Sequence, residues 1–173
     1  DQSFYQINSV QTEKLYQKAI DYAQLSGNEI VLDTYCGIGT IGLYMAPVAK
    51  HVYGVEIVPS AIQDAKQNAL INHFDNTTFE CGKAEEVIIE WKQKGIEPDV
   101  IMVDPPRKGC DQVFIETLLE LAPKRIIYIS CNPSTQQRDA QFLANLYYLK
   151  EITPVDMFPH TTHIETVALF ERK

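Results

Sequence analysis

Residues able to do chemistry fall in four short segments, each directly after an apolar run. The first is Asp33-Thr34-Tyr35-Cys36-Gly37-Ile38-Gly39-Thr40-Ile41-Gly42, which follows Ile30-Val31-Leu32 and contains G-x-G-x-x-G. The second is Gly54-Val55-Glu56, whose acid stands 23 positions after Asp33. Glycines in such a loop let the backbone turn sharply and approach a ligand closely. An acid at that distance can accept hydrogen bonds from two ribose hydroxyls. By itself this pattern serves a dinucleotide or S-adenosylmethionine equally. Asp33 and Tyr35, ahead of the glycines, tip it towards the methyl donor. A carboxylate there repels a pyrophosphate but can pair with an ammonium group.

The third segment is Asp104-Pro105-Pro106-Arg107-Lys108-Gly109. Two prolines remove backbone donors and stiffen the loop, so it can present Asp104 to a flat polar base. Arg107 and Lys108 are either phosphate contacts or a solvated turn. The fourth is Ser130-Cys131-Asn132-Pro133, where an apolar run gives way to a helix. A thiolate near a helix N-terminus is stabilised by the exposed N–H groups and the dipole, which makes Cys131 a candidate nucleophile. Cys36, Cys81 and Cys110 read as small buried hydrophobes. Further on, His160, His163 and Glu165 lack a firm metal-ligand spacing, so no metal site is expected. Glu165 opens the apolar run 166–170, and burial that raises its pKa would suit it to act as a base.

These segments are positioned by apolar runs alternating with helical periods. Leu15, Tyr16, Ala19, Ile20 and Ala23 share one helical face. Ala61, Ile62, Ala65, Ala69 and Leu70 share another, with Ser60 and Gln63 at capping-box spacing. Ala84, Val87, Ile88 and Trp91 mark a third, and Phe114, Ile115, Leu118 and Leu119 a fourth. Ser134 with Gln137 opens a last helix, predicted to run to about Tyr147. The runs 30–32, 100–103 and 126–129 are apolar without alternation, as strands covered on both faces of a parallel sheet must be. The predicted fold is therefore α/β: an open, doubly wound, mostly parallel sheet. Two last runs, 148–155 and 164–170, are predicted to pair antiparallel at one edge. Ligands in such sheets sit beyond the carboxyl ends of the strands, where all four chemical segments fall.

The 173 residues suit one domain, with no linker or repeat. A chain that opens on Asp1 rather than Met reads as a piece of something longer. No apolar run approaches the roughly 18 residues of a membrane span, and the widely spaced cysteines read as reduced thiols, so a cytoplasmic protein is expected. The net charge of -8 is wrong for gripping a nucleic-acid backbone.

The chemical segments also carry a resemblance. Phe4-Tyr5-Gln6-Ile7-Asn8, the Asp33-to-Gly39 loop, the Asp104-to-Gly109 loop, Ser130-to-Pro133 and the stretch 156–165 occur in the order seen in RNA (uracil-5-)-methyltransferases. The resemblance covers almost the whole chain and implies a Rossmann-like class I methyltransferase fold, with residues 1–173 as the catalytic domain. It implies S-adenosylmethionine as donor, with contacts at Gln6, Tyr35, Glu56 and Asp104 and further contact positions at Thr40 and Lys83, beside Asp33, Gly37 and Gly39 of the loop read above. Thr40 and Lys83 depart from the residues usual at those positions. It implies Cys131 as nucleophile, Glu165 as base and Asp104 as the group that orients uracil or donor. Asp156-Met157-Phe158-Pro159-His160-Thr161 is most similar to the 23S ribosomal RNA branch, so 23S rRNA is the expected partner, with the T-loop uridine of tRNA as the alternative. Members of the family usually add an N-terminal RNA-binding domain and a central domain, absent here, which would supply the phosphate grip this acidic chain lacks. An NAD-dependent oxidoreductase rests on the glycine loop alone. A non-catalytic RNA-binding module conflicts with the acidic charge. An amino-methyltransferase acting on adenine or guanine would carry an aromatic residue where Arg107 stands.

Overall fold

The computed structural model describes residues 8–161 and 163–173. The seven strands of the described chain are β1 (Ile30–Thr34), β2 (His51–Glu56), β3 (Thr77–Cys81), β4 (Val100–Val103), β5 (Arg125–Ser130), β6 (Tyr147–Val155) and β7 (Glu165–Arg172). They form one sheet in the order β3-β2-β1-β4-β5-β7-β6. The helices are α1 (Ser9–Ala23), α2 (Thr40–Met45), α3 (Pro59–Ile71), α4 (Ala84–Gln93), α5 (Gln112–Leu121) and α6 (Pro133–Leu143). From β3 to β5 the neighbours are parallel, and β7 runs antiparallel to both β5 and β6. The doubly wound sheet and its C-terminal antiparallel edge are as predicted.

Alternate residues of each central strand enter opposite cores, which is why these strands read as unbroken apolar runs. Val31, Met102, Ile127 and Ile129 pack with Leu15, Ala19 and Tyr22 of α1. Leu32, Ile101, Val103, Ile126 and Tyr128 pack with Trp91 of α4 and Phe114 and Leu118 of α5. The strand order reverses between β1 and β4, each of which is H-bonded to the other while the chain departs to opposite sides. A crevice opens at such a reversal, beyond the carboxyl ends of the strands.

Three local expectations are corrected. Helix α3 starts one residue early, with Pro59 in its first turn and Val58 as a cap without a side-chain bond, so Ser60 and Gln63 form no capping box. Leu70, expected on the buried face, is 74% exposed. Helix α6 begins at Pro133 under an Asn132 cap and ends at Leu143. Tyr147 instead opens β6, fully buried, its hydroxyl donating to the Pro123 carbonyl at 2.9 Å. Leu143 and Tyr147 imitate a helical i, i+4 pair because two successive elements feed the same core.

Candidate active site

Strand β1 ends in a tight loop. Tyr35, Gly37 and Gly39 all have positive φ, of 62°, 53° and 79°. The loop is closed by Cys36 N–H donating to the Val55 carbonyl and Gly39 N–H to the Cys36 carbonyl. Asp33 lies beneath it, 2% exposed, accepting the Gly42 N–H at 2.9 Å. Gly42 has no room for a side chain, since a Cβ there would stand 2.8 Å from that carboxylate oxygen. Glu56, at the end of β2, accepts Gly37 N–H at 3.2 Å on one oxygen and Val58 N–H at 3.0 Å on the other. Each oxygen keeps a free lone pair for a ligand.

The loop after β4 is fastened to the start of α6. The Arg107 carbonyl accepts from Asn132 Nδ2 at 3.2 Å and Thr135 Oγ1 at 3.3 Å. Buried Asp139 accepts from Cys110 N–H at 2.8 Å, the Tyr128 hydroxyl at 2.6 Å and the Arg138 guanidinium at 2.7 Å. Arg138 also donates to the carbonyls of Lys108 and Cys110. These bonds set Asp104 and Arg107 against Cys131, the residue just before the Asn132 cap. The Arg107 guanidinium reaches His163 Nδ1 at 2.8 Å.

The glycine loop, the end of β2, the loop after β4, Cys131 and Glu165 line one cleft of about 840 Å³. Of the residues singled out in the sequence, Asp33, Tyr35, Gly37, Thr40, Glu56, Lys83, Asp104, Cys131 and Glu165 line it together. Gln6 lies outside the described residues. Gly39 is not part of the wall. It is buried below the loop, where a Cβ would meet the Phe79 ring at 3.0 Å, so it permits packing rather than ligand approach. Lys83 lines the rim but pairs with Glu86 at 2.8 Å. Sequence reasoning missed Ile57, Val58, Ala61 and Glu85 in the wall. The available signal was Ile57, an apolar residue directly after the acid and 60% exposed.

The cleft is crowded with carboxyl groups. Burial, and then Glu56, pushes the Asp33 carboxyl up to about 7. Burial, with Glu165 and Asp33, pushes Asp104 up to about 8. Burial pushes Glu165, 7% exposed, up to about 7, with Arg107 pulling the other way. The Cys131 thiol is also raised, first by burial and then by Glu165, while a hydrogen bond from Arg107 opposes them. The expected help from the helix N-terminus is not realised. Cys131 precedes the cap, Pro133 has no N–H, and the Ser134 N–H is taken by the Asn132 side chain. Arg107 supplies a positive charge beside the thiol. Among the described residues no group of three or more His, Cys, Asp or Glu could hold a metal ion, and no helix is long and apolar enough to cross a membrane.

A sequence model of the tRNA (uracil-5-)-methyltransferase family matches residues 1–173. The chain belongs to this family. It is similar to an uncharacterized RNA methyltransferase of Staphylococcus aureus, 78% identical over the whole chain, and to one of Staphylococcus epidermidis, also 78% identical. The chain spans 38% of the length of these curated relatives. Among solved structures it resembles the Pyrococcus abyssi tRNA (uracil-54, C5)-methyltransferase in complex with S-adenosyl-L-homocysteine. That match has a TM-score of 0.85 and 38% identity and covers 98% of this chain and 40% of that one. The N-methyltransferase NodS of Bradyrhizobium japonicum matches with a TM-score of 0.76 at 14% identity, covering 99% and 93%. It shows the class I methyltransferase fold alone.

Proposed function

We propose that this chain is the catalytic domain of an S-adenosylmethionine-dependent enzyme that methylates C5 of a uridine in RNA. One observation carries the proposal. Cys131, directly after β5, and Glu165, the first residue of β7, line the same cleft that the glycine loop opens.

The residues present fit the donor. Asp33, Asp104 and Glu165 crowd one cleft, and no hydrogen-bond donor among the described residues reaches the Asp104 carboxylate. A cation relieves that repulsion, whereas a pyrophosphate worsens it, which weighs against a dinucleotide. Glu56 would take the ribose hydroxyls, Ile57 and Ala61 offer an apolar wall to the adenine, and Asp33 and Tyr35 flank the amino-acid end. When bound, the donor supplies an electrophilic methyl group on its sulfonium sulfur.

The chain's own residues prepare the acceptor. Uracil C5 is a poor nucleophile until a thiolate adds to C6 and makes C4–C5–O4 an enolate. Cys131 is that thiolate, with Arg107 as its counter-charge. Asp104 orients the ring from the stiff Pro105-Pro106 loop. After C5 carries the methyl group, Glu165 removes the remaining C5 proton, Cys131 departs and aromaticity returns. A carboxyl held at about 7 is poised for that transfer at neutral pH. The uridine must be unstacked, since a stacked base hides C6.

The Asp156-to-Thr161 segment supports 23S rRNA as substrate, in the cytoplasm, with the family's additional domains holding it. A tRNA uridine is the second reading, favoured by the Pyrococcus match. Mapping 5-methyluridine in rRNA and tRNA from cells lacking the full-length protein tests both. Loss of a 23S site supports the first, loss of the T-loop site supports the second, and an unchanged map in both RNAs contradicts uridine C5 methylation.

A further inference from the structure

Gln136 is an unusual residue for its position. It is 2% exposed on the face of α6 that packs on the sheet, where an apolar side chain would cost nothing to bury. Both ends of its amide are engaged. Nε2 donates to the Tyr128 carbonyl at 2.9 Å, and Oε1 accepts the Thr166 hydroxyl at 2.8 Å. The Thr166 hydroxyl also lies 3.3 Å from the Ser130 carbonyl. Thr166, 6% exposed, follows Glu165, and Ser130 precedes Cys131. On the other flank of Cys131, Ser130 Oγ accepts the Asn132 N–H and lies 3.0 Å from the Asn132 carbonyl. A polar knot thus joins the neighbour of the thiol, the neighbour of the carboxylate and the helix between them.

We propose that Gln136 and Thr166 are positioning residues that fix Cys131 and Glu165 in one frame. The inference rests on the reaction proposed above. Two β-strands paired by backbone alone can shift or fray at their ends, and Glu165 is the first residue of β7. The Thr166 hydroxyl pins that end to the exit of β5, and Gln136 pins both to α6. Neither side chain lines the cleft, so neither touches substrate.

The test uses the full-length protein with Thr166→Val, Thr166→Ser and Gln136→Leu. Valine keeps the shape of threonine without the hydroxyl, and serine keeps the hydroxyl. Two readings are taken: the single-turnover methylation rate on unmodified transcripts, and the pH profile of Cys131 alkylation by iodoacetamide, followed on its own peptide by mass spectrometry. The second does not depend on what the enzyme methylates. Glu165 raises the thiol, so a Glu165 that drifts away lets the alkylation midpoint fall. Thr166→Val and Gln136→Leu are expected to lower the midpoint and slow turnover about ten- to a hundredfold, the scale of a misplaced catalytic group. S-adenosylhomocysteine affinity should be unchanged, and Thr166→Ser should restore both readings. A Thr166→Val protein that matches wild type in both, or a Thr166→Ser protein as impaired as Thr166→Val, overturns the proposal. A midpoint that falls as expected, in a protein whose wild type makes no 5-methyluridine, retains the knot and rejects the reaction.

Discussion

At the scale of single residues, the site is defined by carboxylates that resist ionisation. Beside them stands Glu56. It is half-buried at the end of β2 and already ordered by two backbone N–H groups. That order suits the role proposed for it, acceptor for the donor's ribose hydroxyls. Glu56→Ala is expected to weaken S-adenosylhomocysteine binding by about 1.5–3 kcal/mol, the scale of hydrogen bonds to a charged group. Calorimetry on the 173-residue chain checks this, and equal affinities would remove the ribose role. Most of these residues were legible in the sequence because they follow apolar runs. The thiol's surroundings were not. A helix N-terminus after Cys131 points to a stabilised thiolate, but only the structure reveals that burial and Glu165 raise the thiol and that Arg107, 24 residues upstream, opposes them.

At the scale of elements, the junction of β5 with α6 does most of the positioning. Asn132 caps the helix through Oδ1 and holds the Arg107 carbonyl through Nδ2. Asn132→Ala should cost about 1 kcal/mol of stability in urea unfolding. Asn132→Asp should restore the cap but not the bond to the Arg107 loop. Equal loss in the two variants would show that the cap contributes nothing. The strands of this core were readable because both faces of β1, β4 and β5 are buried. Element ends were not, because Pro59 and Pro133 start their helices ahead of the residues that looked like caps. The inward turn of Gly39 was equally invisible, since a glycine in a G-x-G-x-x-G loop reads the same whether it faces a ligand or Phe79.

At the scale of the whole molecule, charge links stability to pH. Asp33, Asp104 and Glu165 keep their protons to about 7, 8 and 7 when folded, against ordinary values of 3.8, 3.8 and 4.5. Acids with raised folded pKa values favour the folded state most below their unfolded values. That contribution is lost as pH rises through the folded ones. Thermal melts should therefore show stability declining from about pH 5 to about pH 8.5. Asp104→Asn, which stays neutral, should flatten the decline, and an equally steep profile would contradict the assignment. The net charge of -8 has a second consequence. This chain alone should bind RNA far more weakly than the full-length protein, with a shallower salt dependence. Identical salt slopes for the two would place the phosphate-binding surface in this domain.

The division of labour between Cys131 and Glu165 is most directly open to measurement by covalent trapping. In the proposed reaction Cys131 acts before methyl transfer and Glu165 after it. In the full-length protein, Cys131→Ala should abolish both product and any covalent complex. Glu165→Gln keeps size and polarity but loses basicity, so the thiolate still adds and C5 is still methylated, but the C5 proton stays. The measurement is a denaturant-resistant protein–RNA band labelled from the donor's methyl group. It should accumulate with Glu165→Gln and be absent with Cys131→Ala. A Glu165→Gln protein that turns over at the wild-type rate with no labelled band would contradict the role of Glu165, and a labelled band formed by Cys131→Ala would contradict the role of Cys131.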